Sequence, residues 1–191
     1  YLQKINFIKK SIIEEEVKKV VLSRIEQYNI SNIHNMSNVI NNINNTYPDC
    51  FNFLMKFNKN DYFIGSTPEK IITKKKLSYI TTAIAGSSRN TDLLEDKKEI
   101  EEHNYVIEYL NYTLKKYSDK ITTGKTKILD LKYVKHLQTS IKGKTSFNIH
   151  ILELLNKIYP TPALSGVPNK KTLKIIDKIE PFNRGWYAGA I

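Results

Sequence analysis

The sequence is short of several residue types, and each shortage excludes something. Its 191 residues include one cysteine, Cys50, so an internal disulfide is impossible and a reducing compartment suits the chain. No apolar run approaches the roughly 20 residues needed to span a bilayer, which excludes a membrane-spanning helix and a membrane partner of that kind. The opening Tyr1-Leu2-Gln3-Lys4 has neither the apolar core nor the small-residue cleavage site of a signal peptide. A cytoplasmic protein is therefore expected. Arginine is scarce too: only Arg24, Arg89 and Arg184 among 30 basic residues. That scarcity matters because a net charge of +11 would otherwise suggest a nucleic-acid partner. The lysines are scattered, with short runs only at Lys74-Lys75-Lys76 and Lys170-Lys171. Aromatic residues do not interleave with them as a stacking platform requires. No nucleic-acid partner is expected; a mildly positive interior favours a dianionic small substrate instead.

With no internal repeat and no linker, residues 1–191 read as a single domain of α+β class with a mostly antiparallel sheet. The stretch Val17 to Ser23 is ambiguous, since Glu14-Glu15-Glu16 ahead of it favours a helix and its β-branched run favours a strand. A polar, Asn-rich helix is predicted over 36–46, ending before Pro48. Strands are predicted from Phe51 to Phe57, Tyr62 to Ser66, Lys70 to Thr73 and Leu77 to Ala85, with Lys74 to Lys76 as a turn. Asp92 is the predicted cap of a long helix reaching about Tyr117. Strands follow at Thr126 to Leu131 and His136 to Ile141, then a helix from Ile149 to Ile158. Tyr159 to Pro168, with three prolines and a glycine, is a structured loop. A helix over Lys170 to Ile179 leads to a final strand, Trp186 to Ile191.

Several residues could carry chemistry. Glu99, Glu102 and His103 fall on one face of the long helix. Two carboxylates there suit a hard cation such as Mg²⁺, which takes oxygen ligands; a solvated acidic face is the alternative, with Glu95, Asp96 and Glu101 alongside. Lys19, just ahead of Val20-Val21-Leu22, is either a desolvated base or a lysine that snorkels to water. Glu69 ends the tight segment Gly65-Ser66-Thr67-Pro68, which either fixes a carboxyl group in a pocket or leaves it in water. Ala85-Gly86-Ser87-Ser88, at a strand end, offers backbone N–H groups to an anion or is an ordinary loop. His136, between Val134 and Leu137, reads as a core histidine.

The order and wording of these segments resemble one family. Lys19-Val20-Val21-Leu22-Ser23-Arg24 is followed by Gly65-Ser66-Thr67-Pro68-Glu69, Ala85-Gly86-Ser87, Glu102-His103 and His136-Leu137. Pro160-Thr161-Pro162-Ala163-Leu164-Ser165-Gly166 and Arg184-Gly185-Trp186-Tyr187-Ala188-Gly189 complete the series. Seven landmarks in this order are similar to those of the chorismate-utilising enzymes, and the first and sixth resemble isochorismate synthases most. The resemblance implies a two-layer sandwich and a Mg²⁺-dependent conversion of chorismate to isochorismate. In it, Lys19 matches the base that activates water for attack at C2, and Glu69 the acid that protonates the departing C4 hydroxyl. Glu102 matches a Mg²⁺ ligand, with Glu99 at the position of a second acidic residue near the metal. Gly86 and Ser87 match the loop that holds the substrate, His136 a pocket histidine, and Tyr187 a tyrosine placed against the substrate. The lysine disfavours an ammonia-using, anthranilate-type reaction.

The family continues past this point with an arginine-bearing strand, a Gly-Ala-Gly turn and a helix carrying further glutamates, none of which precedes Ile191. The resemblance therefore implies a monomeric, partial chorismate-binding domain, incomplete at its C-terminus, whose parent is an isochorismate synthase feeding menaquinone or siderophore synthesis. A salicylate synthase and a truncated, non-catalytic remnant are the other readings.

Overall fold

Along 78–88 the chain alternates so that Tyr79, Thr81, Ala83 and Ala85 are all buried, the period of two that a strand with one face in a core must show. Along 97–115 the buried residues are Glu99, His103, Val106, Leu110 and Leu114, spaced three or four apart as one helical face requires. These two faces meet and form the centre of the molecule. The computed structural model describes residues 2–29, 35–89 and 92–191. In chain order the elements are α1 (Leu2–Ile13), β1 (Lys19–Val20), α2 (Met36–Thr46), β2 (Phe51–Lys56), β3 (Tyr62–Thr67), β4 (Thr73–Lys75) and β5 (Ser78–Ser88). Then come α3 (Lys97–Lys115), β6 (Ser118–Thr123), β7 (Lys127–Asp130), β8 (Lys135–Thr145), α4 (Ile151–Ile158), β9 (Gly166–Val167) and α5 (Asn169–Ile179).

Every strand pairing among the described residues is antiparallel, so the α+β class with an antiparallel sheet is borne out. The main sheet runs β4-β5-β8-β6, with β7 also on β8. Helix α3 lies against it, and Val106, Leu110 and Leu114 share one apolar cluster with Tyr79, Ala83, Ala85 and Ile141. Leu154 and Ile158 of α4 and Ile149 close that cluster. Two smaller ribbons, β2-β3 and β1-β9, stand apart from this sheet. No helix among the described residues is long and apolar enough to cross a membrane.

Several expectations need correction. The long helix is capped by Asp96, not Asp92. Asp96 has an extended backbone, and its side chain accepts from the N–H groups of Lys98 and Glu99. Asp92 instead accepts, through its carbonyl, from Glu95 and Asp96 in the preceding turn. The strand expected over Lys70 to Thr73 instead begins at Thr73 and takes in Lys74 and Lys75, leaving the turn to Lys76, whose φ is +53°. Helix α1 and strand β6 have no counterpart in the sequence reading. The ambiguous stretch from Val17 resolves as a two-residue strand. Trp186 to Ile191 is not a strand: Tyr187 donates to the Arg184 carbonyl and Gly189 to that of Trp186, and positive φ at Gly185 and Ala188 curls the backbone. A strand needs a paired neighbour, and none of the described strands runs beside this segment.

Candidate active site

Lys19 stands on a strand only two residues long, so its position depends on what grips that strand. β9 pairs with it in register Lys19 to Val167 and Val20 to Gly166. The Lys18 N–H donates to the Val167 carbonyl at 2.8 Å, and the Val21 N–H to that of Ser165 at 2.9 Å. Gly166 permits the approach. Its φ is +137°, and a Cβ there would lie 2.1 Å from the Lys19 carbonyl oxygen. The glycine that closes the Pro-Thr-Pro segment is thus the surface on which the Lys19 backbone rests.

A second grip comes from Arg184. Its guanidinium donates to both carboxylate oxygens of Glu180, at 2.7 and 2.6 Å, and to the carbonyls of Leu164 and Val21, at 2.9 and 2.8 Å. Glu180 also accepts from the Ser23 N–H at 2.7 Å. One bidentate pair therefore ties together the chain after Lys19, the Pro-Thr-Pro loop and the end of α5. Burial pushes the Glu180 carboxyl up, but the hydrogen bonds from Arg184 and Ser23 outweigh it and hold the group below its ordinary range. Arg184 was a landmark in the sequence without a role, and Glu180, four residues before it at the end of α5, was not singled out.

The ammonium of Lys19 meets α3. Its Nζ lies 2.8 Å from Glu102 Oε1, and the two side chains are 12% and 33% exposed. The approach is close, but its angles are not those of a directed hydrogen bond, and the buried Nζ has no other partner. It is an ion pair with donor capacity to spare. Glu99 is spent differently. One oxygen accepts from the Ser87 N–H at 2.7 Å and the other from Lys98 Nζ at 2.6 Å. Gly86 has φ +74°, and a Cβ on it would lie 2.7 Å from the Glu99 carbonyl. A bulge breaks the β5-β8 register between Ala85 and Ser87 at this point. Ser87 is brought opposite His136, its Oγ 2.7 Å from Nδ1. Burial lowers the His136 pKa. His103 is a core residue, its Nε2 2.7 Å from Thr139 Oγ1, with its pKa also lowered by burial.

Glu69 follows β3 and is half-buried. Burial pushes its carboxyl up to about 7, so near neutrality the group carries a proton to give. Tyr159 lies within electrostatic reach of both Glu69 and Arg184. Its hydroxyl is buried without a hydrogen-bond partner, and nothing in its sequence neighbourhood beyond Pro160 signalled a role. Tyr187 is 59% exposed in the turn after Arg184.

Of the residues expected to act together, the fold pairs Lys19 with Glu102, and Ser87 with both Glu99 and His136. Glu69 belongs to the Tyr159–Arg184 group. Two surface clefts, of about 280 and 410 Å³, lie elsewhere: one is bordered by Ser88, Leu93 and Asp96, the other by Arg89, Asp130 and Tyr133. Neither is lined by Lys19, Glu69 or Glu102, so chemistry rather than cleft volume locates the site. Among the described residues no three His, Cys, Asp or Glu side chains gather as metal ligands. Glu102 nonetheless fits a magnesium ion as one carboxylate ligand: it is partly exposed and already holds a cation, the Lys19 ammonium. Glu99, with both oxygens engaged, fits the bulge better than the ion.

The chain matches the family described as "Chorismate binding enzyme" along residues 1–191. It is 27% identical over 187 residues to isochorismate synthase MenF of Haemophilus influenzae, covering 92% of this chain and 44% of that protein. It is 25% identical over 209 residues to anthranilate synthase component 1 of Arthrobacter globiformis, covering 39% of that protein. Among solved structures it superimposes on MenF, the menaquinone-specific isochorismate synthase of Escherichia coli, with TM-score 0.85 and 26% identity over 98% of this chain and 46% of that one. The chain thus spans less than half the length of these relatives.

Proposed function

The chain belongs to the chorismate-binding enzyme family, and from that premise we propose that it carries the acid–base half of a chorismate isomerase forming isochorismate. The observation that supports this most is the buried Lys19 ammonium, set 2.8 Å from Glu102 and otherwise without a partner. Burying an amine is costly, and a strand, a glycine contact and an arginine clamp are all spent on placing this one.

In this reading Lys19 is the base that receives a proton from a water whose oxygen bonds to C2 of the chorismate ring. The ring double bond shifts, the C4–O bond breaks, and Glu69 gives its proton to the departing hydroxyl, which leaves as water. One water is consumed and one released, so the reaction is an isomerisation. Glu69 suits the acid because burial keeps it protonated near neutrality, where an exposed glutamate would be ionised. Ser87, His136 and the backbone at Gly86 offer polar contacts for the substrate at the bulge, and Glu99 holds that bulge in shape. Tyr187 stands ready beside Arg184. Mg²⁺ is the cofactor of this reading, held by Glu102, and when bound it would neutralise the substrate carboxylate.

The test is chorismate consumption by the protein that carries this chain, with Mg²⁺ supplied and isochorismate and salicylate separated by chromatography. Isochorismate is the expected product, and Lys19→Ala is expected to remove it. Salicylate as the main product would extend the reaction by loss of pyruvate. Ordinary turnover in Lys19→Ala would sink the proposal.

A further inference from the structure

Helix α5 starts without a side-chain cap, because Pro168 holds the capping position and offers no polar group. Asn169, the next residue and a good capping type, turns its amide the other way. Its Nδ2 donates to the Pro160 carbonyl at 2.8 Å and to the Ser165 hydroxyl at 2.9 Å. Both hydrogens of the amide are thus engaged, one at each end of the loop 160–165. The Ser165 hydroxyl in turn donates to the Thr161 carbonyl at 2.9 Å. That carbonyl also accepts from the N–H groups of Leu164 and Ser165, at 3.0 and 3.1 Å. Ser165 is fully buried. Its own carbonyl is the acceptor for Val21, two residues after Lys19, and Val167 and Gly166 pair with Lys19 and Val20. The first turn of α5 also backs β9, since a Cβ on Gly166 would lie 3.0 Å from the Thr172 methyl group. A line of contacts therefore runs from the Asn169 amide through Ser165 to the backbone that carries Lys19.

We propose that Asn169 is a positioning residue for Lys19, setting through Ser165 the place of the strand from which that lysine reaches Glu102. This rests on Lys19 being the base of the reaction. β1 is two residues long and pairs with β9 alone, so its placement follows that of residues 165–167. Val21 is held on both sides of its backbone, the N–H by Ser165 and the carbonyl by Arg184. Arg184 has its own carboxylate partner in Glu180; Ser165 has Asn169. The Asn169 amide is bonded to neither Lys19 nor Glu102, so it acts at one remove. Proton transfer needs the base within hydrogen-bond reach of its water, whereas substrate binding draws on many groups. Loss of the tie is therefore felt in kcat more than in KM.

The experiment combines amide hydrogen exchange with turnover for Asn169→Ala, Ser165→Ala and the double variant, in the protein that carries this chain. Asn169→Ala should speed exchange of the Val21 and Lys18 amides while the amides of α3 keep their wild-type protection, because the tie is local. We expect kcat to fall roughly 10- to 100-fold, the scale of a misplacement of about 1 Å, with KM within about twofold. The double variant should lose little beyond either single one, since both break the same link. Asn169→Gln keeps the two donors on a longer stem. It should recover part of both losses, and it keeps the test open if the alanine variant folds poorly. Wild-type exchange at Val21 in Asn169→Ala and Asn169→Gln overturns the proposal, whatever kcat does. So does an equal loss of protection across β1 and α3, which would make Asn169 a general stabiliser, and so do kcat effects that add in the double variant. Ordinary turnover in Lys19→Ala would instead remove the base assignment and the catalytic part of this inference, while exchange at Val21 still reports the placement of the strand.

Discussion

Lys19 Nζ and Glu102 Oε1 lie 2.8 Å apart, the lysine on a two-residue strand and the glutamate on the central helix, 83 positions away in sequence. In the proposed reaction the base and the metal ion would share this one carboxylate, and a divalent cation arriving at Glu102 must compete with the ammonium. Lys19→Met should therefore bind Mg²⁺ more tightly than the wild type, by about tenfold, and Glu102→Gln more weakly. Titration calorimetry without substrate reads both. Equal affinities in wild type and Lys19→Met would mean that the cation does not bind at Glu102.

Glu69 sets the pH dependence. Its folded pKa, about 7, is above its ordinary value of 4.5. In the proposed reaction the acid form is the active one, so turnover should be lost as pH rises above about 7, approaching tenfold per pH unit. Stability should fall in the window just below: between pH 4.5 and 7 the folded state holds a proton that the unfolded state has released, so folding weakens as pH rises and levels off above about 7. Glu69→Gln should flatten that part of the stability curve and cost about 100-fold or more in rate. Thermal melting and kcat measured between pH 5 and 8 check both signs.

Gly166→Ala is expected to be severe. The added methyl would sit 2.1 Å from the Lys19 carbonyl on a backbone at φ +137°, so either β9 or β1 must move. A loss of about 1–3 kcal/mol is the minimum for such a site. Activity should fall further than stability does, since the displaced strand carries Lys19. A denaturation curve and a turnover measurement on one preparation separate the two effects.

Breaking the clamp should cost more. Glu180→Ala leaves the Arg184 guanidinium, 18% exposed, without its carboxylate, and removing one partner of a buried pair costs about 3–5 kcal/mol. Arg184→Lys keeps the charge but cannot reach Glu180, Leu164 and Val21 at once, so it should recover only part of the loss. Urea midpoints for the two variants test the order.

Much of the fold was written in local pattern. The period of two along β5, the buried face of α3 and the proline-rich loop are properties of neighbouring residues, and each appears at or near its expected place. Errors fell where the answer lies outside the segment. Asp92 and Asp96 are equally good caps by residue type, and the preceding turn chose between them. Trp186 to Ile191 has strand-forming residues, but a strand exists only with a neighbour to pair with.

The sequence by itself determined the family, through seven short segments in order, and with it the residues to propose for the site. It could do so because chemistry constrains residue type at each position. Only the tertiary structure decided which of them meet. Glu99 and Glu102 are three positions apart on one helix, yet the first holds a bulge and the second an ammonium, because different strands pass in front of them. Glu69 owes its proton to burial, and Tyr159 its unspent hydroxyl to the segments folded around it. Burial and proximity between distant segments are made by packing, and no run of neighbouring residues contains them.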